Sequence, residues 1–254
     1  MSGSVVAGIG WVTSQGPGRG REAREFSMTA GPIPPVTRED VFPEPNLRFG
    51  RLPQYSRVGL AAVAFALRDA GMEHWETKRY AGIVASSRTG CLATDIEYYN
   101  TVLPEGGGLP SPNLFSCTLP TCFLGEAAIQ FGLTGPTLIV NDTADDALSG
   151  VRMALESLSW GECGTMLAGH IDLPPGPAIP GIRSPYAGGL FMVLENARVP
   201  SAPGYGTLDL SVGGAVRHNG IGVAGLDELV RACIANLSVN GTRSASPLPL
   251  PGPS

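Results

Sequence analysis

Uninterrupted apolar runs recur along the chain and predict buried strands. The first, SVVAGIGWVT at 4–13, is rich in Val and Ile and has no polar face, which is typical of a central strand covered on both sides. Similar runs predict strands at 81–87, 165–172, 188–196 and 207–216, and LTGPTLIVND at 133–142 predicts a turn followed by another buried strand.

Segments of helical character separate these runs. Ala and Leu content predicts helices over 57–71, 119–132, 143–160 and 225–237, with Gly71 and Gly161 as the stops of the first and third. Strands that alternate with helices indicate an α/β fold, here a mostly parallel mixed sheet with flanking helices.

The predicted helix at 143–160 is unusually apolar. Between Ala147 and Trp160 its charges are Arg152 and Glu156, which are four residues apart and can pair with each other. A surface helix normally has a charged face opposite one apolar stripe. We therefore expect this helix to be covered nearly all round, by a second copy of the chain or by a partner subunit.

Loop-forming stretches set the predicted domain boundaries. The segment 28–56 contains six prolines and predicts a long surface loop, and 104–113 is again rich in Gly and Pro. We predict one domain over 1–222, an extra helix over 223–238 and a disordered tail over 239–254, whose composition is Ser- and Pro-rich.

Charge and cysteine content exclude several classes of protein. A net charge of −5 does not suit nucleic acid, which selects clustered Lys and Arg. The sequence has no apolar stretch long enough to span a bilayer and no signal peptide at its start, so we expect a cytoplasmic chain that does not enter a membrane. Its five cysteines lack metal-ligand spacing, which indicates reduced thiols and no metal site.

The stretch 136–172 has the layout of a nucleophile site, in which a strand leads through a turn into a helix. Ala144, Asp145 and Asp146 stand where the reactive group is expected. The two aspartates have two interpretations. They form an acid/base pair, or they cap the helix, with Thr143 as N-cap and Asp146 completing a capping box.

Other polar residues are weaker candidates. His170 follows a predicted strand and has an ordinary pKa suited to acid/base chemistry, although a single histidine is more often structural. His218, Cys117 and Cys122 have less support. GIGWVTSQG has two glycines of a dinucleotide loop, but the third glycine and the acidic residue that such a site needs are absent.

Several blocks of the sequence resemble the thiolase-fold β-ketoacyl synthases and their chain-length-factor relatives. They are GIGWVTSQG, RFGRLPQYSRVGLAAVAFALRDAG, SPNLFSCTLPTCFLGEAAIQFGLTGP, GECGTMLAGHID, GGLFMVLENA and GGAVRHNG, which occur in family order over about 4–222. The resemblance implies half of a thiolase-like fold.

The resemblance also implies a missing nucleophile. The family places its reactive Cys 17 positions before the Gly that ends the helix, and here that position is Ala144. The family's second half supplies two His and a Lys, and no His or Lys follows Gly220 in this chain. His170 stands where relatives usually have Gly, so the resemblance places it near the same pocket.

We therefore expect a non-catalytic, chain-length-factor-like accessory protein, a pseudoenzyme of polyketide or specialised fatty-acyl biosynthesis. Its expected partners are a second copy or a ketosynthase, and an acyl carrier protein whose phosphopantetheine-linked acyl chain takes the place of a cofactor. One alternative is a small enzyme that reuses the acyl pocket, with Asp145, Asp146 and His170 as acid/base groups. Another is a degenerate remnant.

Overall fold

The computed structural model describes residues 3–23, 25–104, 106–174, 185–196 and 204–243, with side chains up to 238. The strands are β1 (Ser4–Thr13), β2 (Gly16–Arg19), β3 (Ala81–Ser87), β4 (Thr137–Asn141), β5 (Thr165–Asp172), β6 (Gly188–Asn196), β7 (Thr207–Leu210), β8 (Val216–His218) and β9 (Ile221–Gly222). The helices are α1 (Arg38–Val41), α2 (Gln54–Asp69), α3 (Leu92–Val102), α4 (Pro112–Phe115), α5 (Cys122–Phe131), α6 (Ser149–Trp160) and α7 (Leu226–Arg243), with a 3₁₀ turn at Phe49–Arg51.

The described strands form one mixed sheet, which confirms the predicted α/β class. Its order is β4-β3-β5-β6-β1-β7-β8-β9, and β2 pairs with β1. Parallel pairing is confined to β3 with its neighbours β4 and β5, and the other described pairs are antiparallel. The sheet is less parallel than predicted because an apolar run indicates burial on both faces but carries no information on strand direction.

Helices cover both faces of the sheet and create two cores. On one face α2 and α5 pack against residues such as Val12, Ile83 and Phe191. On the other face α6 and α7 enclose Val6, Ile9 and Met192. β1 contributes to both cores, as its unbroken apolar run predicts.

Two glycines of β1 let α2 approach closely. A Cβ at Gly10 would lie 2.1 Å from the backbone nitrogen of Ala66, and one at Gly8 would lie 2.5 Å from that of Ala70. The segment GIGWVTSQG then turns into β2, which is antiparallel to β1. A dinucleotide loop would lead into a helix instead, so the structure excludes that interpretation.

Several predicted elements have different bounds or surroundings. The segment 28–56 is not simply a surface loop, because Met28, Ile33, Val36 and Phe42 are buried in the cores. The run 207–216 is split into β7 and β8 of a hairpin around Gly214, which has φ +79°. α7 continues to Arg243 and includes five residues of the predicted tail, since the first proline that would stop it is Pro247. Residues 244–254 lie outside the described part.

β4 is an edge strand and not the fully buried strand predicted. Among the described residues it pairs with β3 alone. Thr137 and Asn141 are exposed, and the three apolar residues between them are half-buried.

Across the described residues, no helix is long and apolar enough to cross a membrane.

Candidate functional site

A strained turn joins β4 to α6, in the strand–turn–helix frame predicted from the sequence. Residues 142–148 form this turn, which we call the elbow, and Leu148 is the N-cap of α6. Ala147 has φ +55°, a left-handed conformation that is rare outside glycine, and it is buried. Enzymes that place a nucleophile between a strand and a helix hold it in such a strained turn.

The helix begins later than predicted, and this changes where the candidate residues lie. Ala144 is exposed and lies five positions before Ser149, the first residue of α6. The strained position is Ala147. The position expected for the nucleophile, 17 residues before Gly161, is Ala144, whereas the strained backbone position is Ala147. Both positions are occupied by alanine.

The first turn of α6 lies against the sheet. A Cβ at Gly150 would be 2.4 Å from the carbonyl oxygen of Gly169 in β5 and 3.1 Å from the backbone nitrogen of Ser86 in β3. Glycine is therefore needed where the helix starts, and its close approach fixes the position of the elbow over the ends of β3 and β5.

Asp145 and Asp146 have different contacts, because each binds a different arginine. Asp145 is 89% exposed and its carboxylate lies 2.7 Å from Arg88 Nη2. Asp146 forms an ion pair with Arg152 and accepts a hydrogen bond from the backbone N–H of Leu148 at 3.0 Å. The predicted pairing of Arg152 with Glu156 is replaced by this contact.

The predicted capping box at Thr143 is wrong. α6 starts six residues after Thr143, so neither Thr143 nor Asp146 lies at the position that caps its first turn. Asp146 instead stabilises the elbow just before the helix, where it bonds the N-cap residue.

The buried polar centre of the site is a row of three ionisable side chains, Asp142, His170 and Asp172. Their exposed fractions are 1%, 2% and 0%. His170 Nδ1 lies 3.7 Å from Asp142 Oδ2, and His170 Nε2 lies 3.2 Å from Asp172 Oδ2. We call these residues the Asp–His–Asp cluster.

Hydrogen bonds extend the cluster into both neighbouring loops. Asp142 Oδ1 accepts from Ser149 Oγ at 2.8 Å and from the Ala144 N–H at 3.3 Å. Asp172 Oδ1 accepts from Ser87 Oγ at 2.7 Å and from Thr89 Oγ1 at 2.9 Å, and also from the backbone N–H groups of Arg88 and Thr89.

The carboxylates favour a charged imidazole. Burial alone would lower the pKa of His170, but its contacts with Asp142 and Asp172 outweigh burial and raise the pKa above its ordinary value. Burial alone would raise the pKa of Asp142, but its contacts with His170, Ser149 and Ser86 lower it. The contacts within the cluster therefore favour the protonated form of His170 and the ionised form of Asp142.

Ser86, His170 and Asp172 have the connectivity of a proton relay. Ser86 Oγ lies 3.0 Å from His170 Nδ1, on the side of the ring opposite Asp172. In hydrolases such a serine is exposed to substrate, whereas Ser86 and Asp172 are fully buried. This arrangement suits a structural network better than nucleophilic catalysis.

The weaker candidates have structural partners. His218 is buried, and its Nε2 contacts the carbonyl oxygen of Tyr205 at 2.7 Å. Cys117 is buried, and the half-buried Cys122 donates to the carbonyl oxygen of Ser116 at 2.9 Å. Burial raises the pKa of Cys122 and raises that of Cys91 to about 12, so neither thiol is activated at neutral pH.

Of the sequence candidates, His170 alone belongs to the cluster. Asp142 and Asp172 were missed, although each stands at or just after the carboxyl end of a predicted strand, where polar side chains of neighbouring parallel strands converge. No group of three or more His, Cys, Asp or Glu side chains within the described residues has an arrangement that could hold a metal ion.

Comparisons with known proteins agree on one family. The sequence model of the β-ketoacyl synthase N-terminal domain matches residues 41–188. A polyketide β-ketoacyl synthase of Streptomyces virginiae is 28% identical over 144 residues, which are 53% of this chain and 33% of the relative. A non-reducing polyketide synthase of Penicillium roqueforti is 26% identical over 73% of this chain and 8% of its own length. The chain thus spans a third or less of these relatives.

Solved structures with the same fold include two ketosynthase complexes. One is a type II polyketide acyl carrier protein bound to its ketosynthase, with a TM-score of 0.60 and 18% identity over 78% of this chain and 64% of that chain. The other is a ketosynthase of Xenorhabdus doucetiae in complex with its chain length factor, with a TM-score of 0.56 and 14% identity over 77% of this chain and 79% of that chain.

Proposed function

Because the chain belongs to the β-ketoacyl synthase N-terminal domain family, we propose that it is a non-catalytic, chain-length-factor-like accessory protein. It acts in polyketide or specialised fatty-acyl biosynthesis, where it binds a ketosynthase-like subunit, an acyl carrier protein or both. A carrier-bound acyl chain on phosphopantetheine is the ligand that it meets in such a complex.

The observation that carries this proposal is the strained alanine of the elbow. Condensation chemistry needs a thiolate held where backbone N–H groups stabilise the oxyanion. Here the strained residue is Ala147, and the elbow sequence 142–148, DTADDAL, contains no Cys. A methyl group cannot accept an acyl chain, so the chain has the strand–turn–helix arrangement of the site without the reactive sulfur.

The carboxylates of the elbow also support a role without condensation. Asp145 is 89% exposed beside Ala144, where it would repel the phosphate of phosphopantetheine or a malonyl carboxylate. Its ion pair with Arg88 neutralises this charge only in part, because an exposed pair is strongly screened by water.

The edge strand β4 supports assembly with a partner of the same fold. No described strand pairs with its outer side, and an exposed edge is a template for pairing with another strand. Leu138, Ile139 and Val140 are half-buried, and Ile129 of the neighbouring helix α5 is 68% exposed. A second copy, or a ketosynthase subunit, would cover this edge and the apolar surface beside it.

The alternative of a small acid/base enzyme has less support from the geometry. Asp145 and Asp146 are held in separate ion pairs. His170 is buried between two other carboxylates, away from solvent. An enzyme that used these three residues would have to bring together groups that the fold holds in separate contacts.

The assembly is tested by sedimentation of the pure chain and by co-purification with ketosynthase and carrier proteins from the same source. We expect about twice the 26.3 kDa chain mass, or a stable complex with a larger ketosynthase-like subunit. A well-folded monomer at micromolar concentration that binds neither protein would contradict the proposal.

A further inference from the structure

The Asp–His–Asp cluster connects two loops at the same edge of the sheet. Asp142 closes the elbow from both ends, since one carboxylate oxygen accepts from Ala144 N–H and from Ser149 Oγ. Asp172 holds the loop 86–90, which includes the last two residues of β3, through the side chains of Ser87 and Thr89 and through two backbone N–H groups. The imidazole of His170 lies between these two carboxylates.

Two buried carboxylates that face one group are unfavourable without a cation between them. The three residues of the cluster are at most 2% exposed, so water cannot screen their charges. A neutral imidazole would leave two anions with one ring N–H between them. A protonated imidazole has an N–H group on each ring nitrogen, with Nδ1 at 3.0 Å from Ser86 Oγ and Nε2 at 3.2 Å from Asp172, and it places one positive charge between the two carboxylates.

From these contacts we infer that protonated His170 is an electrostatic clamp, which joins the elbow to the loop 86–90 and is released when the imidazole loses its proton. The clamp holds this edge of the fold together and is independent of the proposed accessory function.

Other charged and titratable groups around the cluster do not replace the imidazolium. Arg88, from the loop after β3, acts on both carboxylates at longer range, but its guanidinium is bound to exposed Asp145. Tyr186, before β6, places its ring centroid 6.1 Å from that of His170. Tyr55 of α2 lies near Asp172, and burial raises the pKa of its phenol, so it stays neutral. α6 contributes the uncharged Ser149.

The directions of the two pKa shifts define the pH range of the clamp. The pKa of His170 is raised on folding, so its contribution is complete below the unfolded value, about 6.5, and is lost as pH rises through the folded value. The pKa of Asp142 is lowered, so its contribution is present above about 4 and is lost on acidification. The clamp is therefore strongest between about pH 4 and 6.5 and weakens in alkaline solution.

The test compares urea unfolding of the full chain and its His170→Gln variant from pH 6 to 9.5, with His74→Gln as the control because His74 is exposed. At pH 6 the unfolding equilibrium constant of His170→Gln should exceed that of the wild type by about ten-fold or more, and this ratio should shrink towards one at pH 9.5. His74→Gln should follow the wild type throughout. A ratio that is independent of pH would overturn the inference.

A second measurement uses the wild-type protein, in case His170→Gln does not fold. The chain has three histidines, so ¹⁵N-histidine labelling gives a simple spectrum of ring nitrogens. We expect both ring nitrogens of His170 to carry protons at pH 6.5, about the ordinary pKa of histidine, and to lose one only at higher pH. A His170 ring that is already neutral at pH 6.5 would refute the clamp. Sedimentation at pH 6 and 9.5 separates release of the clamp from dissociation of subunits.

Discussion

Asp145 and Asp146 are neighbours in the chain but have different surroundings, and this difference can be measured. Asp146→Ala removes the ion pair with Arg152 and the hydrogen bond from Leu148 N–H, so it should lower the free energy of unfolding by about 1–2 kcal/mol. Asp145→Ala removes one exposed ion pair and should change it by less than about 0.5 kcal/mol.

Urea denaturation of the two variants provides the comparison, with each serving as the matched control of the other. Equal losses of stability would show that Asp146 does not hold the elbow. A larger loss for Asp145→Ala would mean that the exposed pair with Arg88 is stronger than its exposure suggests.

At single residues, sequence reasoning found the type of group at the site but not its contacts. The resemblance placed His170 near the pocket, and the structure places it among buried carboxylates. The sequence did not reveal the strain at Ala147, because the positive φ of this alanine is imposed by the tertiary contacts of the turn and has no local sequence pattern. Sequence reasoning also paired Arg152 with Glu156 from helical spacing, whereas Asp146 competes for the same guanidinium.

At the scale of elements, the apolar runs located most strands and helices. The main errors concern which strand lies at the edge of the sheet and where α6 begins. β4 has the composition of a buried strand but lies at the edge of the described sheet, and composition does not specify which neighbours a strand has. α6 starts six residues after Thr143 because the chain first forms the elbow above the end of the sheet. Gly150 then lets the first turn of α6 contact the backbone of β3 and β5.

The proposed pairing through β4 makes a prediction about two exposed isoleucines. Ile129→Asp, on α5 beside β4, should weaken self-association or ketosynthase binding by at least about ten-fold, since a buried charge in an apolar contact is costly. Ile221→Asp is the matched control. Ile221 is 74% exposed on β9, at the opposite end of the sheet.

Sedimentation equilibrium of both variants gives the dissociation constants, and circular dichroism checks that the fold is kept. If the two substitutions weaken assembly equally, or if Ile221→Asp alone does so, the interface does not lie at β4. If neither has an effect, assembly uses another surface.

At the scale of the whole molecule, the chain belongs to the β-ketoacyl synthase N-terminal domain family, and its strained elbow contains no cysteine. The family was predictable from several sequence blocks in their expected order, and the family comparison confirms it. The chain covers 33% of one curated relative and 8% of another, so the proposed accessory role rests on the elbow and not on the activities of these relatives.

The central claim, that this ketosynthase-like chain does not catalyse condensation, is tested most directly by an assay of the pure protein with acyl- and malonyl-loaded carrier proteins. Mass spectrometry of the intact chain detects acylation, and mass spectrometry of the products detects condensation. A family member that has the reactive cysteine is the positive control. We predict no stoichiometric acyl adduct on the chain and no β-ketoacyl product, because loss of the nucleophile removes several kcal/mol of transition-state stabilisation. Repeated turnover by the pure chain, or an acyl group bound within residues 142–149, would contradict it.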